Sequence, residues 1–355
     1  GGHGGLQGRN DGEGQMLSET IKLNMNEMPY PPPQEVIEAA RKGLAKLNRY
    51  ADPEDLGRLR GLLAGYSGVL EEHVVLSPGS DILLREVIHT FSKGRKVIIV
   101  SPSFFPTVQA AKQFATKLVS LRLSPPEFDL DLDLLMDELK EPCLVIIDNP
   151  NNPTGKLLLD RQAVEAIIES TDTLLVVDEA YYEFSGVTFA DMVHDHPNLA
   201  VTRTMDKAFS LAGARIGYII AGEAFGDAFS SFYAFLPQPS LYAAIEALNH
   251  PDYVRRNVQR VVEERERVWR TLNELAIRVC QSTTNFLLVR TEIPDIVKRL
   301  GDIGILVLDL SNQLPSGFVR VSIGTGEEND AFIAGYIKIR EAYLNGTQMS
   351  AGLRG

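Results

Sequence analysis

The segment TMDKAFSLAGARIGY contains a lysine whose neighbours suit covalent amine chemistry. Thr204 precedes Lys207 by three residues, and Arg215 follows it by eight. A lysine that forms a covalent bond needs surroundings that lower its pKa, and its partner often carries an anion that must be held nearby. Because threonine and arginine both bind anions, we expect an anion site beside this lysine.

Two polar motifs follow apolar runs elsewhere in the chain. SPGSD, residues 77–81, follows a short strand and opens a helix, and the N–H groups of a helix start bind anions. NPNNPTG, residues 149–155, forms a rigid loop after the run LVIID. Asp178 ends the run LLVV and needs a cationic or N–H partner if buried, and Tyr181 follows three residues later. Taken singly, the first motif also suits a plain helix cap, and the second suits a structural turn.

The elements that position these residues alternate between short apolar strands and helices from about Pro31 onward. This alternation predicts an α/β fold with a mostly parallel sheet that is covered on both faces. Ligands of such sheets collect at the carboxyl ends of the strands, where the polar motifs fall. After about Pro239 a long charged helix and further short strands predict a smaller α+β lobe. We therefore divide the chain into a tail and arm (1–28), a large domain (29–240) and a small domain (241–355).

Composition excludes several classes of partner. The 355 residues carry a formal net charge of −12, which argues against nucleic acid. No apolar run approaches the roughly 20 residues of a membrane helix. Two isolated cysteines, Cys143 and Cys280, predict buried thiols in a reducing compartment, so we expect a cytoplasmic protein without a metal site.

Seven segments together resemble the fold type I pyridoxal-phosphate aminotransferases of class I/II, and especially the histidinol-phosphate aminotransferases. They are KLNMNEMPYPPP, RYADPEDLGRLR, LSPGSD, NPNNPTG, VVDEAYYEF, TMDKAFSLAGARIGY and FVRVSIGT. The resemblance extends from about Lys22 to Leu344. It implies a three-layer aminotransferase fold, pyridoxal 5′-phosphate as cofactor, and transfer of an amino group from a small-molecule donor to a 2-oxo acid such as 2-oxoglutarate.

The resemblance also implies a role for each catalytic residue. Lys207 bonds to the cofactor aldehyde and, once released, moves the proton of the substrate. Asp178 pairs with the ring nitrogen, and Tyr181 and Asn152 bond the ring oxygen. Phe104, in SPSFFP, stacks on the ring.

The remaining implied roles concern anions and the subunit interface. The cofactor phosphate is bound by Gly79, Ser80, Asp81, Thr204 and Arg215. Tyr50 reaches this phosphate from the other subunit, which implies a homodimer. Arg320 takes the acidic group of the substrate, since a guanidinium fork suits a carboxylate or a phosphate, and Asn24 lines the substrate side.

Three positions depart from the histidinol-phosphate family. Asp206 stands where a serine usually contacts the phosphate, and an ionised carboxylate there repels a phosphate unless it turns away or pairs with a cation. Leu308 replaces the arginine that grips the phosphate of the substrate, and Gly326 replaces an arginine in GTGEE. These losses of positive charge favour a donor that carries a carboxylate and an apolar side chain.

Other functions on the same scaffold stay open at this stage. One is an aminotransferase for aromatic or other apolar amino acids. Another is a lyase of the threonine-phosphate decarboxylase type, against which Leu308 counts because an arginine is expected there too. A regulatory cofactor-binding domain is disfavoured, since the chain is acidic and has no room for an added DNA-binding domain.

Overall fold

The computed structural model describes residues 20–352, and it describes side chains as far as residue 345. Of the predicted tail and arm, residues 1–19 lie outside this range. Within the described part, no helix combines the length and the apolar character needed to cross a membrane.

Thirteen strands and twelve α-helices lie within the described range. The strands are β1 (Ile21–Lys22), β2 (Val74–Ser77), β3 (Lys96–Ser101), β4 (Leu118–Arg122), β5 (Cys143–Asp148), β6 (Thr173–Asp178), β7 (Leu199–Thr204), β8 (Gly217–Ala221), β9 (Arg278–Val279), β10 (Phe286–Arg290), β11 (Ile305–Leu306), β12 (Leu308–Asp309) and β13 (Phe318–Ser322). The helices are α1 (Gln34–Leu44), α2 (Pro53–Ser67), α3 (Ser80–Phe91), α4 (Phe105–Phe114), α5 (Leu132–Glu138), α6 (Arg161–Ile168), α7 (Tyr182–Ser185), α8 (Gly226–Phe229), α9 (Gln238–Asn249), α10 (Pro251–Glu274), α11 (Ile296–Gly301) and α12 (Gly326–Gly352).

A seven-stranded sheet forms the centre of the larger part of the protein. Its order is β2-β8-β7-β6-β5-β3-β4. Strand β8 runs antiparallel to β2 and β7, and the other neighbours are parallel. The parallel arrangement brings the carboxyl ends of β5, β6 and β7 to one edge, where the polar motifs follow.

The apolar runs of the central strands are long because both faces of the sheet are buried. In β3, Ile98 and Val100 belong to one apolar core, whereas Val97 and Ile99 belong to the other. Successive side chains of a strand point to opposite faces, so an unbroken apolar run serves two cores at once. Helices α2 and α6 pack in the first core and α3 and α4 in the second, which gives the three layers expected from the sequence.

The C-terminal part begins with helix α10, which buries one apolar stripe. Val254, Val261, Val268 and Leu272 recur at helical spacing along that stripe and are buried. Beyond α10 lies a four-stranded antiparallel sheet of order β12-β13-β10-β9. The N-terminal strand β1 pairs in parallel with β11, so the start of the chain returns to this C-terminal part.

The predicted alternation of short strands and helices is present. Strands β11 and β12 lie close together, with Val307 between them, and they pair with different partners. The predicted boundary after residue 240 falls inside α9, and the division into two domains stays a prediction.

Candidate active site

A cavity of about 530 Å³ lies at the carboxyl edge of the central sheet. Nine residues to which the resemblance assigns a role line it together, and so does Asp206. They are Ser80, Asp81, Phe104, Asn152, Asp178, Tyr181, Thr204, Lys207 and Arg215. Met25 and Glu27 of the N-terminal segment close one side of it.

Lys207 presents its amine to this cavity. Its Nζ donates to the main-chain oxygen of Met25 over 3.2 Å. Burial lowers the pKa of Lys207 to about 8, and the charge of Asp206 only partly opposes this effect. A substantial fraction of the amine is therefore neutral near physiological pH, as nucleophilic attack on an aldehyde requires.

Asp178 lies at the end of β6 as a buried carboxylate bonded to neutral donors. Its Oδ1 accepts from Thr202 Oγ1 over 3.0 Å and from the N–H of Ala180 over 3.2 Å. Burial, reinforced by the charge of the adjacent Asp148, raises the pKa of Asp178 to about 7. A ligand that brings a positive charge to this carboxylate would offset the cost of its burial.

Tyr181 reaches the same cavity from the loop after β6. Its hydroxyl oxygen accepts from Asn26 Nδ2 over 2.9 Å and from Asn152 Nδ2 over 3.5 Å. Burial raises the pKa of Tyr181 to about 12, so its hydroxyl keeps its proton and can donate it to a ligand oxygen.

Arg320, on β13, lies behind Asn152. Its Nη1 donates to Asn152 Oδ1 over 2.6 Å, and its Nη2 donates to the main-chain oxygen of Asn24 over 2.8 Å. Its Nε is buried without a partner among the described residues, and burial lowers its pKa. A buried guanidinium with an unpaired donor and only neutral partners is suited to bind an acidic group.

The anion site is built around glycines at the start of α3. Gly79 has a φ of +107°, and a Cβ there would lie 2.3 Å from Arg215 Nη2. No side chain caps the helix at this position, so its first N–H groups face a ligand. Gly217 lets β8 approach the helix closely, since a Cβ there would lie 2.2 Å from the nitrogen of Ser80.

Arg215 is held in this site by two carboxylates. Its Nη2 donates to Asp81 Oδ1 over 2.6 Å, and its Nη1 donates to Asp206 Oδ2. Thr204 Oγ1 accepts from the N–H of Asp206 over 3.0 Å, which fixes the turn that leads to Lys207. Asp206 therefore pairs with the arginine, which is one of the two arrangements that the sequence allows.

Several residues singled out from the sequence lie outside the cavity lining, namely Gly79, Arg320, Leu308, Tyr50, Asn24 and Gly326. Tyr50 is 77% exposed and stacks on Phe235, with ring centroids 4.6 Å apart. Asn24 contacts Arg320 through its main chain, and its side-chain oxygen is buried without a partner among the described residues. Gly326 lies beside Glu264 and accepts from Arg267, so the structure shows no contact between position 326 and Arg320.

Leu308 lies directly opposite Arg320. The two residues are partners in the antiparallel register of β12 and β13, and side chains opposite each other in such a pair lie on the same face. The side chain at position 308 therefore contributes to the surroundings of the Arg320 guanidinium.

Sequence reasoning missed two polar residues of the site, Asp148 and Asn26. Asp148 accepts from Ser103 Oγ, Asn151 Nδ2 and the N–H of Asn152, and so fixes the NPNNPTG loop. The sequence did contain a signal for Asp148, because this residue ends the apolar run LVIID just as Asp178 ends the run LLVVD. Asn26 carried no comparable signal, because distant residues of the C-terminal part, Ser322 and Asn285, hold it beside Tyr181.

Comparisons with known proteins agree with this geometry. The sequence matches the family described as aminotransferase class I and II over residues 18–335. The histidinol-phosphate aminotransferase of Sulfurisphaera tokodaii is 36% identical over 324 residues, which cover 89% of each chain. That of Thermococcus gammatolerans is 37% identical over 320 residues, covering 88% of this chain and 90% of the relative.

A solved structure extends the comparison to the coordinates. The histidinol-phosphate aminotransferase of Sinorhizobium meliloti, in complex with pyridoxal-5′-phosphate, has a TM-score of 0.83 and 25% identity, with 92% of each chain covered. With the family matched over most of its length and its motifs gathered around one lysine, this chain belongs to the class I and II aminotransferases.

Proposed function

We propose that this protein is a pyridoxal-phosphate-dependent aminotransferase that moves an amino group from a small-molecule donor to a 2-oxo acid such as 2-oxoglutarate. One observation carries the proposal. The amine of Lys207 opens into a cavity that also contains an anion site at Arg215 and the buried carboxylate of Asp178.

The described residues fit this cofactor. The glycine-lined start of α3, with Arg215 beside it, accommodates a phosphate. Asp178 is a buried carboxylate bonded to neutral donors, so a protonated ring nitrogen would supply the positive charge that its present partners lack. When bound, pyridoxal phosphate supplies an aldehyde that bonds to amines and a ring that withdraws electrons from the carbon beside the amine.

The residues around the cofactor then have separate tasks. Lys207 Nζ would hold the cofactor and would serve as the base for the substrate proton. Asp178 would pair with the ring nitrogen, and the hydroxyl of Tyr181, which accepts from Asn26 and Asn152, would donate to the ring oxygen. Arg320 binds the carboxylate of the substrate with its guanidinium fork.

Absorbance spectroscopy tests this function. Added pyridoxal phosphate should give a visible band that Lys207→Ala abolishes, and an amino donor should bleach the band of the native protein. The variant Lys156→Ala, in which a surface lysine paired with Asp129 is removed, serves as the control and should keep the band. A native protein that stays colourless with pyridoxal phosphate would contradict the proposal.

Two classes of amino donor are candidates. The named relatives indicate histidinol phosphate. The position of Leu308 opposite Arg320 favours a second class, amino acids with aromatic or other apolar side chains, because an apolar group lies where a second cation would help to bind a phosphate. A lyase that acts on threonine phosphate is a further alternative on the same scaffold.

A donor screen with 2-oxoglutarate separates these classes. Preference for phenylalanine over histidinol phosphate would support the apolar class, and the reverse preference would assign histidinol phosphate. Release of carbon dioxide from threonine phosphate would identify a lyase instead.

We also infer that the protein is a homodimer in which Tyr50 reaches the partner's phosphate site. An exposed aromatic cluster, formed by Tyr50, Tyr233 and Phe235, supports this inference. Contiguous exposed aromatic side chains mark interaction surfaces. A cytoplasmic location stays a prediction from the two isolated cysteines, both free in the described chain.

A further inference from the structure

Two carboxylates surround the anion-binding arginine of the cavity, so the negative charge there exceeds the single positive charge of the guanidinium. Arg215 contacts both Asp81 and Asp206. The side chain of Asp206 is 10% exposed, whereas that of Asp81 is 37% exposed. Asp206 Oδ1 is buried and has no hydrogen-bond partner among the described residues, although Asp206 lines the cavity. A buried carboxylate oxygen without a donor indicates that a ligand or a proton supplies one.

The other charged residues near Asp206 do not offset this excess of negative charge. The charges of Arg215 and of Lys207, the next residue, lower the pKa of Asp206, but the effect of burial is larger. Glu27 lines the same cavity and pairs with Lys22 over 3.1 Å. Lys22, Glu27 and Glu328 also line a second cavity that Asp206 borders, so carboxylates outnumber cations there as well.

We propose that Asp206 makes cofactor binding depend on a proton: a phosphate binds beside Arg215 only when the carboxyl of Asp206 takes up one proton. The proposal rests on the proposed function, since it takes the cofactor phosphate as the bound anion. The proton comes from solvent and forms an O–H bond at the unpartnered Oδ1, and no other covalent bond forms or breaks. Burial raises the pKa of Asp206, which acts in the same direction.

The consequence is an affinity that falls as pH rises. A phosphate monoester is mostly a dianion above its second pKa of about 6, so the bound proton must be taken up from solvent. When binding takes up one proton, the dissociation constant rises about tenfold per pH unit wherever free protein and free ligand are both deprotonated. Asp206 thus determines how readily this protein releases its cofactor under alkaline conditions.

The test uses pyridoxine 5′-phosphate, which lacks the aldehyde and so cannot bond to Lys207. Its dissociation constant is measured by fluorescence between about pH 7 and pH 9, above the second phosphate pKa. The dissociation constant of the native protein should rise about tenfold more per pH unit than that of Asp206→Asn, which keeps the shape of the side chain. Lys207 and Asp178 also titrate in this range, but they do so in both proteins, so the difference between the two slopes reports on Asp206. Asp206→Asn should also bind more tightly at the alkaline end. Glu27→Gln removes a carboxylate of the same cavity that does not pair with Arg215, and it should keep the native slope.

Calorimetry counts the proton directly. Binding of pyridoxine 5′-phosphate, measured in two buffers of different ionisation enthalpy at about pH 8, should take up about one proton more in the native protein than in Asp206→Asn. Equal uptake in the two proteins, or equal slopes, would overturn the proposal while leaving the proposed function intact. Absence of binding at every pH would contradict both.

Discussion

Asp148 and Asp178 lie side by side at the carboxyl ends of β5 and β6, and both are buried. The donors that bond them, from Ser103, Asn151, Asn152, Thr202 and Ala180, carry no charge. Burial raises the pKa of Asp148 to about 6 and that of Asp178 to about 7. Asp148 uses both oxygens to accept bonds that fix the NPNNPTG loop, whereas Asp178 accepts its two bonds at Oδ1 alone, so Asp178 is the better placed of the two to bind a ligand.

This division of roles predicts different outcomes for two matched substitutions. Asp178→Asn removes the charge that holds the ring nitrogen protonated, and we expect kcat to fall about 100- to 1,000-fold while the visible band persists. Asp148→Asn should mainly lower the free energy of unfolding, by about 1–3 kcal/mol, because it disturbs the contact with the N–H of Asn152. Transamination kinetics and urea denaturation measure the two effects. Equal losses of kcat in both variants would contradict the division.

Lys207 should destabilise the cofactor-free protein. Its pKa is about 8 in the folded chain, below the ordinary 10.5, so the ionised amine is disfavoured by folding. This cost is fully present below about pH 8 and fades as the pH rises toward the unfolded value. We expect Lys207→Met to raise the free energy of unfolding by about 2–3 kcal/mol more at pH 7 than at pH 10.5.

Urea denaturation at the two pH values measures the difference. Lys140→Met is the control, because Lys140 is an exposed lysine paired with Asp137. Lys140→Met should change the free energy of unfolding by almost the same amount at both pH values. If Lys207→Met raises the free energy of unfolding equally at both pH values, the cause is packing rather than the charge of the amine.

Leu308→Arg should shift the donor preference. The new guanidinium would lie on the same face as Arg320 and supply the second cation that a phosphate needs. We expect kcat/KM for histidinol phosphate relative to phenylalanine to rise about 10- to 100-fold, the range of one or two charge-assisted hydrogen bonds. Leu308→Met, which adds no charge, should leave the ratio unchanged. An unchanged ratio in the arginine variant would remove position 308 from donor selection.

Gly217→Ala should weaken phosphate binding without touching the ligand. A Cβ at this position would lie 2.2 Å from the nitrogen of Ser80, so the start of α3 must move away from Arg215. We expect the dissociation constant of pyridoxine 5′-phosphate to rise at least about tenfold, which corresponds to about 1.4 kcal/mol. Gly65→Ala, where a Cβ meets no atom within 4 Å, should bind as the native protein does.

Phe235→Asp should dissociate the inferred dimer. Phe235 is 52% exposed and lies between Tyr50 and Tyr233. A carboxylate in a buried aromatic interface costs several kcal/mol unless it is paired, so sedimentation should show a smaller species. Leu134→Asp introduces the same charge at a leucine of α5 that is 48% exposed, and it should not change the mass. A native protein that sediments as a monomer would contradict the inference at once.

Local signals allowed much of this site to be predicted from the sequence. Lys207, Asp178 and Asn152 each follow a short apolar run, and the strands of a parallel sheet end at one edge. Fold and cofactor chemistry therefore followed from patterns that span only a few residues each.

Contacts between distant segments could not be predicted in this way. Asn26 meets Tyr181 because it is bonded to Ser322 and Asn285, which lie 296 and 259 residues away along the chain, and no local pattern indicates such contacts. The pairing of Arg215 with Asp81 and Asp206 depends on side-chain geometry, and the sequence allowed either a rotated or a paired Asp206.

The pairing of Ile21 with Ile305 has a consequence for synthesis of the chain. The segment that follows Ile21 supplies the oxygens that meet Lys207 and Arg320, and it is held by a strand near the other terminus. A ribosome extends the chain from the N-terminus, so the first residues of the pocket emerge long before their partners. A nascent or truncated chain that stops short of β11 lacks the completed pocket. We therefore expect only chains that include β11 to bind the cofactor.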